Sequence, residues 1–304
     1  MSVCGVVQFC ATDDYLVSAR RYGGHQLSHR PAAVLVGSLS EKSVQKRRIS
    51  VRLEVWEIVL LTFVVAVGMW VTWHVARPNT NPVQSAREMD YFRERYGPTH
   101  YSEREEEWMI RDYFQDRRGG FFVDVGANHY RSNSKTYYLE SELGWSGLAI
   151  EPQREFAAEY AKYRHRTKFF PFFVDDVSNA TAKLYMTKRA SMVASSDKEF
   201  VRQFGELDEV RDVPTITLTD LLDSEGVQHI DFLSMDIELH EPQALKGFDI
   251  ERFKPALVCI EALQPVRQQI LDYFSRHHYT VVGGYIWVDL ENLYFAPLAP
   301  DTTK

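Results

Sequence analysis

The sequence predicts an alternating α/β fold, a mostly parallel sheet with helices on both faces, preceded by a single transmembrane helix. Three observations carry this. Gly120-Phe121-Phe122-Val123-Asp124-Val125-Gly126-Ala127-Asn128 is a short apolar run ending in a glycine turn, as expected of a strand covered on both faces. From there on, short apolar runs alternate with segments of helical period. Residues 55–76 are almost wholly apolar, over a length that fits a membrane span.

Residues 1–54 show no sustained period and scatter Gly, Ser, His and Arg, so they read as a disordered tail. Within the span at 55–76, Trp56 stands near one end and Trp70 and Trp73 towards the other, suiting the membrane interfaces. Lys42, Lys46, Arg47, Arg48 and Arg52 precede the span closely, whereas Arg77 and Arg87 follow it. The positive-inside rule then puts the N-terminus in the cytosol and the C-terminal domain across the membrane, in the ER or Golgi lumen of a eukaryote. Asn179-Ala180-Thr181 is a glycosylation sequon on that side. Against it, Cys259 is the one cysteine of the C-terminal domain, since Cys4 and Cys10 lie in the tail, and a lumenal domain more often has disulfides.

Arg77-Pro78-Asn79-Thr80-Asn81-Pro82 breaks any helix and opens a stem over 77–101, leaving 102–304 as the folded domain. Residues 85–96 and 102–115 have amphipathic helical patterns, and Ser102 with Glu105 has capping-box spacing. Strands are expected at 121–125, 147–150, 168–174, 232–236, 256–261, 279–282 and 293–295. Helices are expected near 133–143, 154–163, 218–225, 241–246 and 265–277. Five strands separated by helices, then a late hairpin, match a Rossmann-like sheet. The polar stretch 187–212, with Met192, Phe200 and Phe204, reads as a lid or as a surface excursion without a role.

The glycine pattern narrows the ligand. A dinucleotide fold wants G-x-G-x-x-G beside the pyrophosphate, but here Asn128 and Arg131 stand where the later glycines would be. A lone Gly126 turn, with Glu151 closing the second strand, suits a phosphate-free nucleoside such as S-adenosylmethionine, because a carboxylate there can accept from both ribose hydroxyls. A formal net charge of -7 argues against a general nucleic-acid binder.

Three blocks of sequence resemble the FkbM family of S-adenosylmethionine-dependent methyltransferases. They are Gly120 to Asn128 with Ser132-Asn133-Ser134, then Leu143-Gly144-Trp145-Ser146-Gly147-Leu148-Ala149-Ile150-Glu151-Pro152, then Ile230-Asp231-Phe232-Leu233-Ser234-Met235-Asp236-Ile237-Glu238-Leu239-His240-Glu241. The resemblance implies a class I methyltransferase sheet. It also implies that Asp124, Gly126 and Asn128 position the methionine part of the cofactor, that Glu151 holds the ribose, and that Asp176 or its neighbour Asp175 meets the adenine. Asp236, Glu238 and His240 then form the reaction centre. Either His240 or Asp236 could take the proton of a hydroxyl acceptor, and imidazole is the better match near neutral pH.

Asp236, Glu238 and Glu261 could also offer oxygen ligands to magnesium, an arrangement ranked below a metal-free site. Two positions depart from the family pattern: Leu239 stands where glycine is common, and Ser234 where lysine is common. The acceptor implied is a sugar or glycan hydroxyl. The rival reading is a non-catalytic methyltransferase-like membrane protein acting in secretory cargo trafficking. A nicotinamide dehydrogenase is a distant third, for want of the glycines.

Overall fold

The structure, a computed structural model, describes residues 82–187 and 193–298. The expected tail, the apolar segment 55–76 and Met192 lie outside the described residues. Among the described residues no helix is long and apolar enough to cross a membrane.

The main sheet has seven strands in the order β3-β2-β1-β7-β8-β10-β9: β1 Phe121–Val125, β2 Ser146–Ile150, β3 Thr167–Phe170, β7 Phe232–Met235, β8 Leu257–Glu261, β9 Tyr279–Val281 and β10 Asn292–Pro297. The first five pair in parallel, and β10 runs antiparallel between β8 and β9. This is the expected α/β sheet with its late hairpin. Strand order runs from β1 outward to β3 on one side and resumes at β7 on the other, so β1 and β7 flank the switch point where open sheets bind ligands.

Burial on both faces explains the unbroken apolar runs. Val123, Val125, Leu233, Met235, Val258 and Ile260 pack into one buried cluster. Their strand neighbours Phe122, Phe232, Leu257 and Cys259 pack into another with Trp108 and Trp145. The alternation is that of a pleated strand. Cys259 is fully buried, and burial raises its thiol well above the ordinary value, as suits a packing residue.

Several boundaries differ from the sequence pattern, for local reasons. Helix α1 runs Pro82–Tyr96, starting at a proline that suits a first turn, and buries Phe92 and Tyr96 against α2, Glu106–Phe114. Residues 102–105 stay outside α2: Ser102 Oγ accepts from Glu107 N–H at 3.1 Å, without a capping box. The expected helix at 133–143 shrinks to α3, Tyr137–Ser141, because Asn133 takes a left-handed φ of 60°.

The expected third strand, 168–174, breaks at Pro171, which has no N–H to continue a ladder. Its second half, β4 Phe173–Val174, leaves for a separate sheet of order β4-β6-β5, with β5 Thr181–Met186 and β6 Glu209–Ile216. Part of the 187–212 stretch is therefore structured: it supplies the first part of β6 and a short helix α4, Lys198–Arg202, capped by the Asp197 carboxylate.

Candidate functional site

Parallel pairing brings the carboxyl ends of β1, β2, β7 and β8 to one edge, and a cavity of about 570 Å³ opens there. Gly126, Asn128, Glu151, Asp236, Glu238 and Glu261 all line it. Residues from three separate sequence blocks thus share one wall, and the volume lies in the range of small-molecule sites.

Gly126 turns with φ 82°, and a Cβ there would stand 1.8 Å from the Asp236 carbonyl oxygen. The close approach that demands glycine is made by the chain's own backbone after β7. Asn128 also takes a left-handed φ of 47°, and its N–H donates to Glu151 Oε2 at 3.2 Å. Glu151 Oε1 accepts from Gln153 N–H at 3.0 Å. Burial pushes the Glu151 carboxyl above its usual range, against these two backbone donors. Each oxygen accepts one backbone N–H and the Gln153 side chain also meets the carboxylate, which still keeps acceptor capacity for a ligand hydroxyl.

Asp124 is placed differently. It is buried, and its Oδ2 accepts from Thr136 Oγ1 at 2.8 Å. It lines a small pocket of about 30 Å³ beneath the main cavity, with Lys135, Ser234 and Asp236. Burial raises its carboxyl, opposed by Thr136, Lys135 and Arg164. Behind it stands Arg164, almost fully buried, which donates to Glu140, to the Tyr130 carbonyl at 2.9 Å and to Thr136 Oγ1 at 3.1 Å. One guanidinium thereby fixes the loop that carries Asn128 to Thr136.

Lys135 is the functional candidate that the sequence reading missed. Its Nζ donates to Asp236 Oδ2 at 2.8 Å, and its side chain is 7% exposed. Burial alone would lower its pKa, but Asp236, with Cys259 and Glu106, outweighs that and the net shift is upward. Asp124 pairs across the sheet with Ser234, and Ser234 with Cys259, so all three side chains share one face. Ser234 brings no charge to that face; Lys135 reaches it from another element.

The acids beside Lys135 are crowded. Burial, then Asp236 and Glu241, pushes Glu238 up to about 8. Burial and the same neighbours push Glu261 well up. Glu238 and Leu239 are both left-handed, at φ 58° and 75°. A leucine at such an angle is strained, by about 1–2 kcal/mol. Among the described residues no group of three or more His, Cys, Asp or Glu side chains is arranged to hold a metal ion.

Two expected residues stand away from the cavity wall. His240 is packed edge-on against Phe173, its Nε2 3.2 Å from Asp175 Oδ1 and its Nδ1 3.0 Å from Ser196 Oγ. Both ring nitrogens are engaged, and burial lowers its pKa. Asp176 follows β4 into the smaller sheet's connection, where its Oδ2 accepts from Gln243 Nε2 at 2.6 Å. The reason is the break at Pro171, which carries the following residues out of the main sheet.

Residues 124–291, more than half of the chain, match the family described as the methyltransferase FkbM domain, so the chain belongs to that family. Its methyl donor is S-adenosylmethionine. The pocket fits that group: Glu151 has acceptor capacity for hydroxyls, and the loop after β1 brings no glycine-rich cradle for phosphate. No curated protein sequence matches the chain. Among solved structures, an O-methyltransferase from Bacillus cereus in complex with SAH superposes with a TM-score of 0.36 at 11% identity, covering 77% of this chain and 97% of that one. A methyltransferase from Geobacter sulfurreducens gives 0.34 at 15%, covering 77% and 96%. A SAM-dependent O-methyltransferase from Thermotoga maritima gives 0.33 at 10%, covering 67% and 68%. Superpositions this loose transfer no residue role.

Proposed function

We propose that this methyltransferase moves a methyl group from S-adenosylmethionine to a hydroxyl of a small-molecule acceptor, with a sugar or glycan as the acceptor class. The observation that carries this reading is the meeting of Asp236 and Glu238 with Glu151 and Gly126 on one cavity wall. The donor supplies a methyl on a positively charged sulfur. Glu151 accepts from hydroxyls at one end of the cavity. Asp236, held at one oxygen by Lys135, has its second oxygen for the acceptor hydroxyl and takes its proton. His240, fully engaged by Asp175 and Ser196, braces the turn after β7 instead.

The test is transfer of labelled methyl by the full chain to a panel of hydroxyl acceptors. Asp236→Asn lowers kcat by about 10²- to 10⁴-fold while the affinity for S-adenosylhomocysteine holds. Unchanged turnover in that variant removes Asp236 from the role. The trafficking alternative draws on Leu239, a strained residue where the family commonly has glycine; donor binding without transfer to any acceptor would favour it.

We also propose membrane anchoring through 55–76 with the domain in the lumen. Asn179 and Thr181 of the sequon are exposed, so the site is reachable by a glycosyl-transferring enzyme. In chain made by eukaryotic cells, enzymatic deglycosylation produces a mass step that Asn179→Gln abolishes. An unmodified Asn179 in that material contradicts the lumenal placement.

A further inference from the structure

Glu261 ends β8 on the cavity wall and is only 9% exposed. Its Oε2 is buried and has no hydrogen-bond partner among the described residues. Such an interior oxygen is unfavourable unless a ligand meets it. Among the described residues no cation pairs with it, and Lys135 acts on it only from a distance. Lys135 is committed to Asp236. Arg104, the one basic residue on the wall, pairs with Glu291 at 2.7 Å. Seven acidic side chains line the same cavity, and neither Glu238 nor Glu261 makes an ion pair among the described residues. S-adenosylmethionine brings a sulfonium and an ammonium against one carboxylate of its own, a single net positive charge, so it does not by itself supply partners for both Glu238 and Glu261.

We infer that Glu261, flanked by Glu238, is the subsite for a protonated amine on the methyl acceptor, so that the acceptor is an amino alcohol, such as an amino sugar. This rests on the methyltransferase reading above. An ammonium offers three donors, which suits the Glu261 carboxyl, turned so that it meets the cavity, together with the Glu238 carboxylate. Burial raises both carboxyls first, and the acids around them, Asp236 foremost, add a negative potential that also draws any other cation. Ammonium binding therefore releases protons from this pair near neutral pH. The amine is the handle for recognition, and a neighbouring hydroxyl meets Asp236.

The test uses the full chain in detergent, titrated calorimetrically with 2-aminocyclohexanol, with cyclohexane-1,2-diol and with magnesium chloride, each with and without S-adenosylhomocysteine. The two organic probes differ in an ammonium against a hydroxyl. The expected result is about tenfold or more tighter binding of the amino alcohol. Its heat changes with the ionisation enthalpy of the buffer, as proton release requires. Glu261→Gln loses the preference while keeping its affinity for S-adenosylhomocysteine, which shows that the variant is folded. Glu238→Gln, which leaves β8 untouched, weakens it.

Equal affinity for the two probes, binding of neither, a preference that survives Glu261→Gln, or magnesium competing the amino alcohol off at lower concentration would each overturn the amine subsite. Failure of wild type to bind S-adenosylhomocysteine condemns the donor reading instead, and the probe titrations without it still report on the amine.

Discussion

At the scale of single residues, the site is a set of backbone angles and buried charges. Gly126 shows what a motif glycine is for here: its missing Cβ is where the Asp236 carbonyl stands. Gly126→Ala adds an atom to that space at φ 82°, so β1 and β7 must separate at the site. The expected loss is about 3 kcal/mol or more in urea unfolding, with S-adenosylhomocysteine binding lost as well. A variant as stable as wild type would show that the turn relaxes freely. The motif residues Gly126, Asn128, Glu151, Asp236 and Glu238 were legible as cavity residues, because strand ends and turn glycines leave a local signature. Lys135 was not, since a lysine in a polar loop looks solvated and only the fold turns it under the sheet. The surroundings of His240 were not legible either, because its partners Asp175 and Ser196 come from remote segments.

At the scale of elements, parallel pairing does the assembly. Four strands end at one edge, and each contributes its last residue or the next one to the cavity. The strands and the late hairpin could be read from apolar runs. The split of the third strand could not be placed from its apolar pattern, which runs on past Pro171, and Asp176 went with it into the smaller sheet's connection. The stretch 187–212 shows the same limit. Its polarity suggested a lid or an idle loop, yet its described part supplies α4 and the start of β6 and is tied to the turn after β7, with Ser195 Oγ donating to the Glu238 carbonyl at 2.7 Å. Such ties follow from β5–β6 pairing, which no local periodicity encodes.

At the scale of the whole molecule, the cluster of raised carboxyls links stability to pH. Glu238 and Glu241 sit at about 8 in the folded chain against an ordinary 4.5. Between those values the folded chain holds protons that the unfolded chain has lost. Their contribution to stability is therefore fullest below about pH 4.5 and falls as pH rises towards 8. Glu238→Gln removes one such group, so its urea midpoint gains on wild type at pH 8 and matches it near pH 4.5. A gain of equal size at both values would assign the effect to packing and not to charge.

The central claim, a donor pocket closed by the β1 turn and Glu151, is tested most directly by calorimetric titration of the full chain with S-adenosylhomocysteine, repeated on Glu151→Gln. The account predicts binding in the micromolar range for wild type and at least about tenfold weaker binding for the variant, the loss of one charged acceptor to ligand hydroxyls. Equal affinity in the two proteins would contradict the placement of the donor, and no binding by a folded wild-type chain would contradict the methyltransferase activity itself.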